Sequence, residues 1–235
     1  FSAYAGDELL EGNDAATLPV PVKGESVAFS TDSFVVTPHF FPGGDIGKLA
    51  VCGTVNDVAT SGAVPKYLSC GFILEEGFPM EDLKKICQSM AEMAKEAGVH
   101  IVTGDTKVVN RGHGDGVFIN TSGVGFVPVG VYLSGANCKP GDKILVTGTL
   151  GDHGITIMSC REELSFSADI KTDAAPLNHL IAEVIKAAPS TRCFRDPTRG
   201  GLASTLNELA DQSGVDMVVE EEAIPVKDAV RGACE

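Results

Sequence analysis

The 235-residue sequence contains no tryptophan, and aromatic residues make up only 6% of it. It has no run of about 18 apolar residues, the length that a helical membrane span needs. Its seven cysteines form no C-x-x-C pair, no C-x-x-C-H motif and no Cys/His cluster with zinc spacing. These absences exclude a helical membrane protein, a zinc finger and a c-type haem site. They favour a reducing compartment.

Basic residues are few compared with acidic ones. The sequence has 18 lysines and arginines against 32 aspartates and glutamates, for a net charge of -14. Its isoelectric point is about 4.7. Long-range repulsion would oppose binding to nucleic acid or to an anionic membrane. We therefore expect no nucleic acid and no membrane among the partners, and we expect small ligands or basic protein surfaces instead.

The composition is that of a globular α/β protein. Hydrophobic residues make up 43% of the sequence, and the mean hydropathy is +0.12. A chain of this length can bury a full core in one large or two modest domains. We expect a cytoplasmic protein. Because the sequence begins at Phe1 and ends on Ala-Cys-Glu, we also expect it to be part of a longer chain.

The first half predicts a strand-rich unit after a loop at 1–23. Asp45 is placed to cap a helix over 46–61, and Pro79 and Gly98 bracket a second, amphipathic helix. The predicted strands are 27–36, interrupted at 31–33; 67–74; 99–103, ending on Gly104-Asp105; 117–126; and 131–133.

The turn cluster at 137–142 predicts a domain boundary, so that residues 1–136 form the first domain and 137–235 an incomplete second one. The second domain reads as α/β. Its predicted elements are strands at 143–148 and 217–219 and helices at 177–185 and 202–210.

Three aspartates stand where apolar runs end: Asp32, Asp57 and Asp105. Each lies among short side chains where a ligand can approach the backbone, as a magnesium-bound polyphosphate requires. For Asp32 a turn aspartate is an equally simple interpretation. Asp57 follows Asn56 in a stretch of small residues. Exposure to solvent is a poor explanation for an acidic residue at this position. If the three aspartates converge in space, the protein is a nucleotide enzyme.

Two familiar phosphate motifs fail on spacing. Residues 43–48 resemble a P-loop, but the spacer is one residue short and Leu49 replaces the magnesium-binding hydroxyl. Gly123-x-Gly125 lacks the third glycine of a dinucleotide fingerprint. We reject both motifs.

Further candidates lie beside these positions and in the second half. Lys107 follows Asp105 by two residues, which suits a phosphate contact or an ordinary surface lysine. The loop 148–154 could cap a helix or present N–H groups to phosphates, and His153 within it could be a base or a local hydrogen-bonding group. The loop 195–201 carries two arginines, Asp196, Thr198 and paired glycines. No base stands near Cys234, so we expect it to be incidental.

Five motifs together carry a family resemblance. They are Phe29-Ser30-Thr31-Asp32-Ser33, the run 40–49 (FFPGGDIGKL), Asn56-Asp57-Val58-Ala59, the run 103–109 (TGDTKVV) and the run 196–201 (DPTRGG). They resemble the ATP-binding superfamily of aminoimidazole ribonucleotide synthetase, selenophosphate synthetase and thiamine monophosphate kinase. Within it, the runs 40–49 and 104–109 resemble the carbamoyl dehydratases of [NiFe]-hydrogenase maturation.

The resemblance implies an α/β, more broadly α+β, fold with two domains. The first would be an ATP-binding and dimerisation domain whose mixed sheet forms a barrel across a homodimer. By similarity Asp32, Asp57 and Asp105 would hold Mg²⁺ on the phosphates of ATP. Asn56 and Thr106 would support them, Lys107 would offset charge on the transferring phosphate, and the Asp196 and Thr198 loop would approach from the second domain. Lys107 and Asp57 would be catalytic.

The implied reaction dehydrates a carbamoyl group on a C-terminal cysteine to a thiocyanate. The implied partners are a carbamoyltransferase that supplies the group and an iron-cyanide scaffold complex that receives it. The sequence departs from the pattern at both ends, because it lacks the Gly-rich N-terminal arm and the Pro-Arg-x-Cys tail, and Cys234 does not match that tail. The alternatives are another synthetase of the superfamily, such as a selenophosphate synthetase, or a scaffold that binds nucleotide without catalysis.

Overall fold

The computed structural model describes residues 26–161, 170–198 and 200–234. The predicted loop at 1–23 and Arg199 lie outside these residues. The described chain divides into two compact units. The first contains 26–40, 44–131 and 174–189, and the second contains 41–43, 132–161, 170–173, 190–198 and 200–234.

A four-stranded mixed sheet forms the centre of the first unit. Its strands are β1 (Ser26–Phe34), β4 (Val64–Glu75), β5 (His100–Val109) and β6 (Val117–Val127), in the order β1-β6-β4-β5. β6 runs antiparallel to both β1 and β4, and β4 runs parallel to β5. The short strands β2 (Phe40–Phe41) and β3 (Gly44–Asp45) form a separate pair. The order leaves β1 and β5 as the two edges of the sheet.

Helix α1 (Ile46–Thr60) begins where the sequence predicts it. The Asp45 carboxylate accepts a hydrogen bond of 2.9 Å from the N–H of Lys48 and caps the first turn. The helix packs closely on the sheet because β6 carries glycines beneath it. A Cβ on Gly123 would lie 2.8 Å from Thr54 Cγ2 and 2.9 Å from Val58 Cγ2.

Helix α2 (Met80–Ala97) is also confirmed. Pro79 precedes its first turn, and Gly98 ends it in the left-handed conformation with φ of 70°. Its apolar positions Ile86, Met90 and Ala94 are buried. Both helices thus follow from local capping signals and apolar spacing.

Two strands differ from their predicted bounds. β1 continues unbroken through Thr31-Asp32-Ser33, because all three residues pair with β6, and Asp32 faces Thr121 across the ladder. β5 does not end at Gly104-Asp105 but continues to Val109, paired with β4. Ladder pairing with a neighbouring strand outweighs the short polar residues that suggested a stop.

The helices of the remaining chain are α3 (Asp152–Arg161), α4 (Asn178–Ala187), α5 (Gly201–Ser213) and α6 (Asp228–Cys234). α4 belongs to the first unit and the others to the second. α4 and α5 match the predicted helices, and Gly214 ends α5 as expected.

The predicted strands at 131–133, 143–148 and 217–219 are wrong. Among the described residues from 132 to 234 no strand is present. Leu145 and Val218 are each 88% exposed. A strand requires a ladder partner, and none of the described residues in this part of the chain supplies one. In the part of the chain that the structure describes, no helix has the length and apolar character to cross a membrane.

Candidate functional site

Asp57 lies on α1 where this helix packs against β1. Its side chain is half-buried, and its Oδ2 atom accepts a hydrogen bond of 3.1 Å from Ser30 Oγ. Ser30 stands on β1, two residues before Asp32 and on the same face of the strand. The fold of one chain therefore holds the carboxylate of Asp57 in place through a side chain from the neighbouring strand.

Asp32 approaches the same helix one turn away. A Cβ placed on Gly53 would lie 3.6 Å from Asp32 Oδ2 and 2.9 Å from the ring of Phe34. Gly53 precedes Asp57 by one helical turn, and Ser30 precedes Asp32 by two strand residues on the same face, so the two carboxylates lie at the same helix–strand contact. Asp32 Oδ1 also accepts a hydrogen bond of 2.9 Å from the N–H of Ser33. The pair forms one acidic patch on the first unit.

Asn56 has a structural role beside this patch. Its Nδ2 atom donates to Ala175 O at 3.0 Å, and its Oδ1 atom accepts from the N–H of Leu177 at 2.7 Å. These bonds tie α1 to the segment that leads into α4. A supporting role toward nucleotide stays a prediction, and the amide would have to serve both purposes.

Asp105, Thr106 and Lys107 lie on the edge strand β5. The Lys107 Nζ atom is 3.2 Å from Asp105 Oδ2, and the two side chains are 72% and 68% exposed. The hydrogen bond from Lys107, followed by one from the backbone of Thr106, lowers the pKa of Asp105. Every residue from Gly104 to Val108 is exposed, so this segment is open to a ligand or to another chain.

The two acidic regions do not meet within one chain. Asp32 pairs with Thr121 on β6, β6 pairs with β4, and Asp105 pairs with Gly71 on β4. With strands about 4.8 Å apart, three spacings separate β1 from β5, or about 14 Å. One Mg²⁺ ion has its ligands at about 2.1 Å and cannot reach both edges. The magnesium site at Asp32, Asp57 and Asp105 stays a prediction, and the geometry of one chain does not bring the three carboxylates together.

Among the described residues no group of three or more His, Cys, Asp or Glu side chains is arranged to hold a metal ion. Of the predicted magnesium ligands, Asp32 and Asp57 lie at one helix–strand contact of a single chain. Mg²⁺ in nucleotide enzymes is usually bound by one or two carboxylates together with substrate phosphates. The pair therefore fits a metal that arrives with its nucleotide.

The second unit contains the remaining candidates around a cavity of about 1350 Å³. Thr198 lines this cavity, and its hydroxyl donates to Asp196 Oδ2. His153 also lines it, with Nδ1 3.0 Å from Thr172 Oγ1. Burial lowers the pKa of His153, which keeps the imidazole neutral at pH 7. The interpretation of His153 as a local hydrogen-bonding group is thus supported.

The loop 148–154 forms the start of helix α3. Asp152, which is fully buried, accepts from Thr149 Oγ1 and lies 3.0 Å from Lys227 Nζ. The N–H of Leu150 donates to Pro225 O at 2.8 Å. These contacts anchor the loop within the second unit, and its two interpretations, capping and phosphate binding, both stay open.

Sequence reasoning missed two features of the chain. It did not connect Ser30 with Asp57, because a serine in a strand carries no signal of its own. It also did not pair Cys138 with Cys193, whose sulfur atoms lie 3.6 Å apart. Their separation of 55 positions matches no short cysteine motif.

Comparison with known proteins places the chain in a class. Residues 12–127 match the family model of the AIR synthase related protein, N-terminal domain, and residues 139–233 match that of its C-terminal domain. The fold and the two matched domains are those of a two-domain α/β protein of the AIR synthase type.

Individual relatives narrow this class. The chain is 60% identical over 225 residues to the hydrogenase expression/formation protein HupE of Azotobacter chroococcum mcd 1, covering 96% of this chain and 65% of the relative. It is 51% identical over 238 residues to the carbamoyl dehydratase HypE of Escherichia coli K12, covering 100% of this chain and 70% of the relative. The chain thus spans about two thirds of the length of these relatives.

Solved structures agree with the sequence relatives. A crystal structure of the hydrogenase maturation protein HypE in complex with ATP has a TM-score of 0.95 and 52% identity, over 99% of this chain and 69% of that one. A HypE–HypF complex has a TM-score of 0.87 and 53% identity, over 99% and 75%. The chain belongs to the HypE family.

Proposed function

We propose that this chain is the nucleotide-binding part of an ATP-dependent carbamoyl dehydratase. The observation that carries the proposal is the pair Asp32 and Asp57, held at the contact between β1 and α1 with Ser30 bonded to Asp57. The HypE structure in complex with ATP, which is 52% identical to this chain, supports ATP as the nucleotide. The E. coli relative, named carbamoyl dehydratase HypE, supports the reaction.

Asp32 and Asp57 would hold Mg²⁺ together with the phosphates of ATP. Bound there, the ion would reduce the free-energy cost of charge that develops on the phosphoryl group. The further contacts proposed are Asn56, Asp105, Thr106, Lys107, Asp196 and Thr198. Among these, Lys107 is the cation suited to the transferring phosphate, because its exposed ammonium can reorient from Asp105 toward a more highly charged anion.

A second copy of the chain would complete the site. Among the described residues, β1 and β5 are open edges of the sheet, and Val27, Phe29 and Val108 on these strands are 61%, 69% and 67% exposed. Open edges with apolar side chains favour pairing with another sheet. We propose that two sheets join in a barrel across a homodimer, so that Lys107 and Asp105 of one copy serve the Asp57 site of the other. This removes the separation of about 14 Å within one chain.

The proposed reaction consumes an S-carbamoyl cysteine and ATP. The carbamoyl oxygen attacks the γ-phosphorus, ADP leaves, and the oxygen becomes part of a phosphate leaving group. Loss of both amide protons and of phosphate then leaves the thiocyanate, so that the products are thiocyanate, ADP and phosphate. Phosphorylation is needed because an amide oxygen is otherwise a poor leaving group. The acceptor cysteine is not assigned to Cys234, which is exposed at the end of the short helix α6.

The proposed domain division is an ATP-binding and dimerisation domain at 1–136 and a second α/β domain at 137–235. The proposed partners are a carbamoyltransferase and an iron-cyanide scaffold complex. The HypE–HypF structure supports a maturation partner for this family. A cytoplasmic location stays a prediction from composition.

A mixing experiment with two variants of the full-length protein tests the shared site. Asp57→Asn and Lys107→Ala are each expected to lose most ATP turnover. Random mixing of the two variants makes half of the dimers heterodimers. If the two residues serve one site from different copies, each heterodimer has one intact site and one doubly substituted site. Activity should then recover to about a quarter of the wild-type value. ATP turnover after subunit exchange measures it.

If ATP turnover does not recover after mixing, the result contradicts the shared site but not the dehydratase activity. In that case both residues act within one copy. The dehydratase itself is tested separately by mass spectrometry of full-length protein incubated with the carbamoyl donor system and ATP. Absence of a cyanated cysteine in the wild-type protein would overturn the proposed dehydratase. The matched control variant for the two substitutions is Glu81→Gln, on the exposed start of α2.

A further inference from the structure

Two cysteines of the second unit form a thiol pair. Cys138 follows the short helix Gly135–Asn137, and Cys193 lies 55 positions later in the segment before Asp196. Their sulfur atoms are 3.6 Å apart, and both side chains are half-buried. Neither residue belongs to the proposed nucleotide site.

The backbone on both sides of the pair is held in place. The N–H of Cys138 donates to Ser213 Oγ at 3.2 Å, and the N–H of Ser134 donates to Arg192 O at 3.1 Å. Arg192 also forms an ion pair of 2.7 Å with Asp142. A disulfide needs sulfur atoms at about 2.05 Å, so they must approach by about 1.5 Å. We expect rotation of the two side chains to supply this approach while the anchored segments stay in place.

The two thiols differ in reactivity. Cys138 donates its S–H to Gly135 O at 3.7 Å, which leaves Cys193 to donate toward the sulfur of Cys138. Burial, followed by this hydrogen bond, raises the pKa of Cys193 to about 11. Because the thiolate is the attacking form, this raised pKa makes Cys193 a poor first nucleophile, and the first attack is assigned to Cys138.

We propose that Cys138 and Cys193 are a reversible oxidation site that forms an intramolecular disulfide with a low-molecular-weight disulfide such as oxidised glutathione. The Cys138 thiolate attacks glutathione disulfide and releases one glutathione. Cys193 then loses its proton, attacks the Cys138 sulfur of the mixed disulfide and releases the second glutathione. Two protein thiols lose two electrons and two protons, and one glutathione disulfide becomes two glutathione thiols.

The disulfide would restrain the chain just before a candidate binding loop. Cys193 precedes Asp196 by three residues, and Thr198 lines the cavity of the second unit. Joining residue 193 to residue 138 removes freedom from the segment between Ser190 and Thr198. Oxidation should therefore slow amide hydrogen exchange in that segment.

The test treats the reduced full chain with glutathione disulfide and maps its peptides by mass spectrometry. We expect a linked peptide containing Cys138 and Cys193, a loss of two hydrogen masses in the intact protein, and reversal by dithiothreitol. Cys193→Ala should instead retain one glutathione on Cys138. Cys160→Ser, a half-buried cysteine in α3, is the matched control and should form the link as the wild-type chain does.

Either of two results would overturn the proposal. One is glutathione on other cysteines of the wild-type chain with no 138–193 link. The other is tight binding of Zn²⁺ by the reduced pair that blocks oxidation at equimolar metal. Because peptide mapping of the wild-type chain decides the first, the test does not depend on the folding of the variants.

Discussion

The two acidic regions of the first unit differ in how much support they receive from their own chain. Asp57 is half-buried, bonded to Ser30 and packed beside Asp32 at a helix–strand contact. Asp105 lies on an edge strand. Its carboxylate forms an ion pair with Lys107, and both side chains are exposed. The first region is held in place by the fold, whereas the side chains of the second are exposed to solvent.

This difference suits the proposed site, which two copies of the chain would share. A carboxylate that holds a metal benefits from a fixed position, since preorganised groups need no rearrangement when charge develops. A lysine that meets the phosphate from another copy benefits from an exposed position on an edge. In the proposed dimer, Asp57 would keep its position in one copy and Lys107 would approach from the other.

The largest effect is expected for Asp57→Asn in the full-length protein. The amide keeps the size of the side chain and can still accept from Ser30, but it removes the charge that a metal requires. ATP turnover should fall by at least about 100-fold, or about 2.7 kcal/mol of barrier. The unfolding free energy should change by less than about 1 kcal/mol. Unchanged turnover would remove Asp57 from the metal site.

A smaller loss of turnover is expected for Lys107→Ala, about 10- to 100-fold. Because the ion pair with Asp105 is exposed, the unfolding free energy should change by less than about 0.5 kcal/mol. The pKa of Asp105 should rise toward the ordinary aspartate value, since Lys107 is the first cause of its depression. NMR titration measures this change. Full turnover together with a raised pKa would make the lysine an ordinary surface residue.

Gly53→Ala is expected to lower the stability of the fold without removing a functional side chain. The new Cβ would lie 2.9 Å from the ring of Phe34 and would push β1 away from α1. Crowding of this kind costs about 1–3 kcal/mol, partly offset by about 1 kcal/mol of helix propensity. Chemical denaturation should show a net loss of up to about 2 kcal/mol.

Gly71→Ala is the matched control for this substitution. Its added Cβ would meet its nearest neighbour, Asn120 O, at 3.9 Å, an ordinary contact. An equal loss of stability in the two variants would contradict the tight packing of β1 on α1 as the cause.

Local signals in the sequence predicted most of the first unit. Asp45, Pro79 and Gly98 act on their own helix ends, so their effects can be read without knowledge of the rest of the chain. The same is true of the strands 67–74 and 117–126. These elements are set by capping and side-chain spacing, which involve neighbours along the chain.

Strand ends and strand existence depended on distant partners. Asp32 and Asp105 seemed to end their strands, yet β1 continues because β6 pairs with it and β5 continues because β4 does. The apolar run 143–148 forms no strand for the opposite reason, because none of the described residues around it supplies a ladder. Backbone pairing is a non-local property that short windows of sequence do not contain.

For the candidate site, the sequence by itself supplied the residues that are proposed to carry the chemistry. The residue types of Asp32, Asp57, Asp105 and Lys107, together with their motifs, led to the family to which the chain belongs. Only the tertiary structure decided that Asp32 and Asp57 share one helix–strand contact while Asp105 and Lys107 lie on the far edge, and that Cys138 meets Cys193. The physical reason is that residue chemistry is local, whereas proximity depends on sheet order and packing across the whole unit.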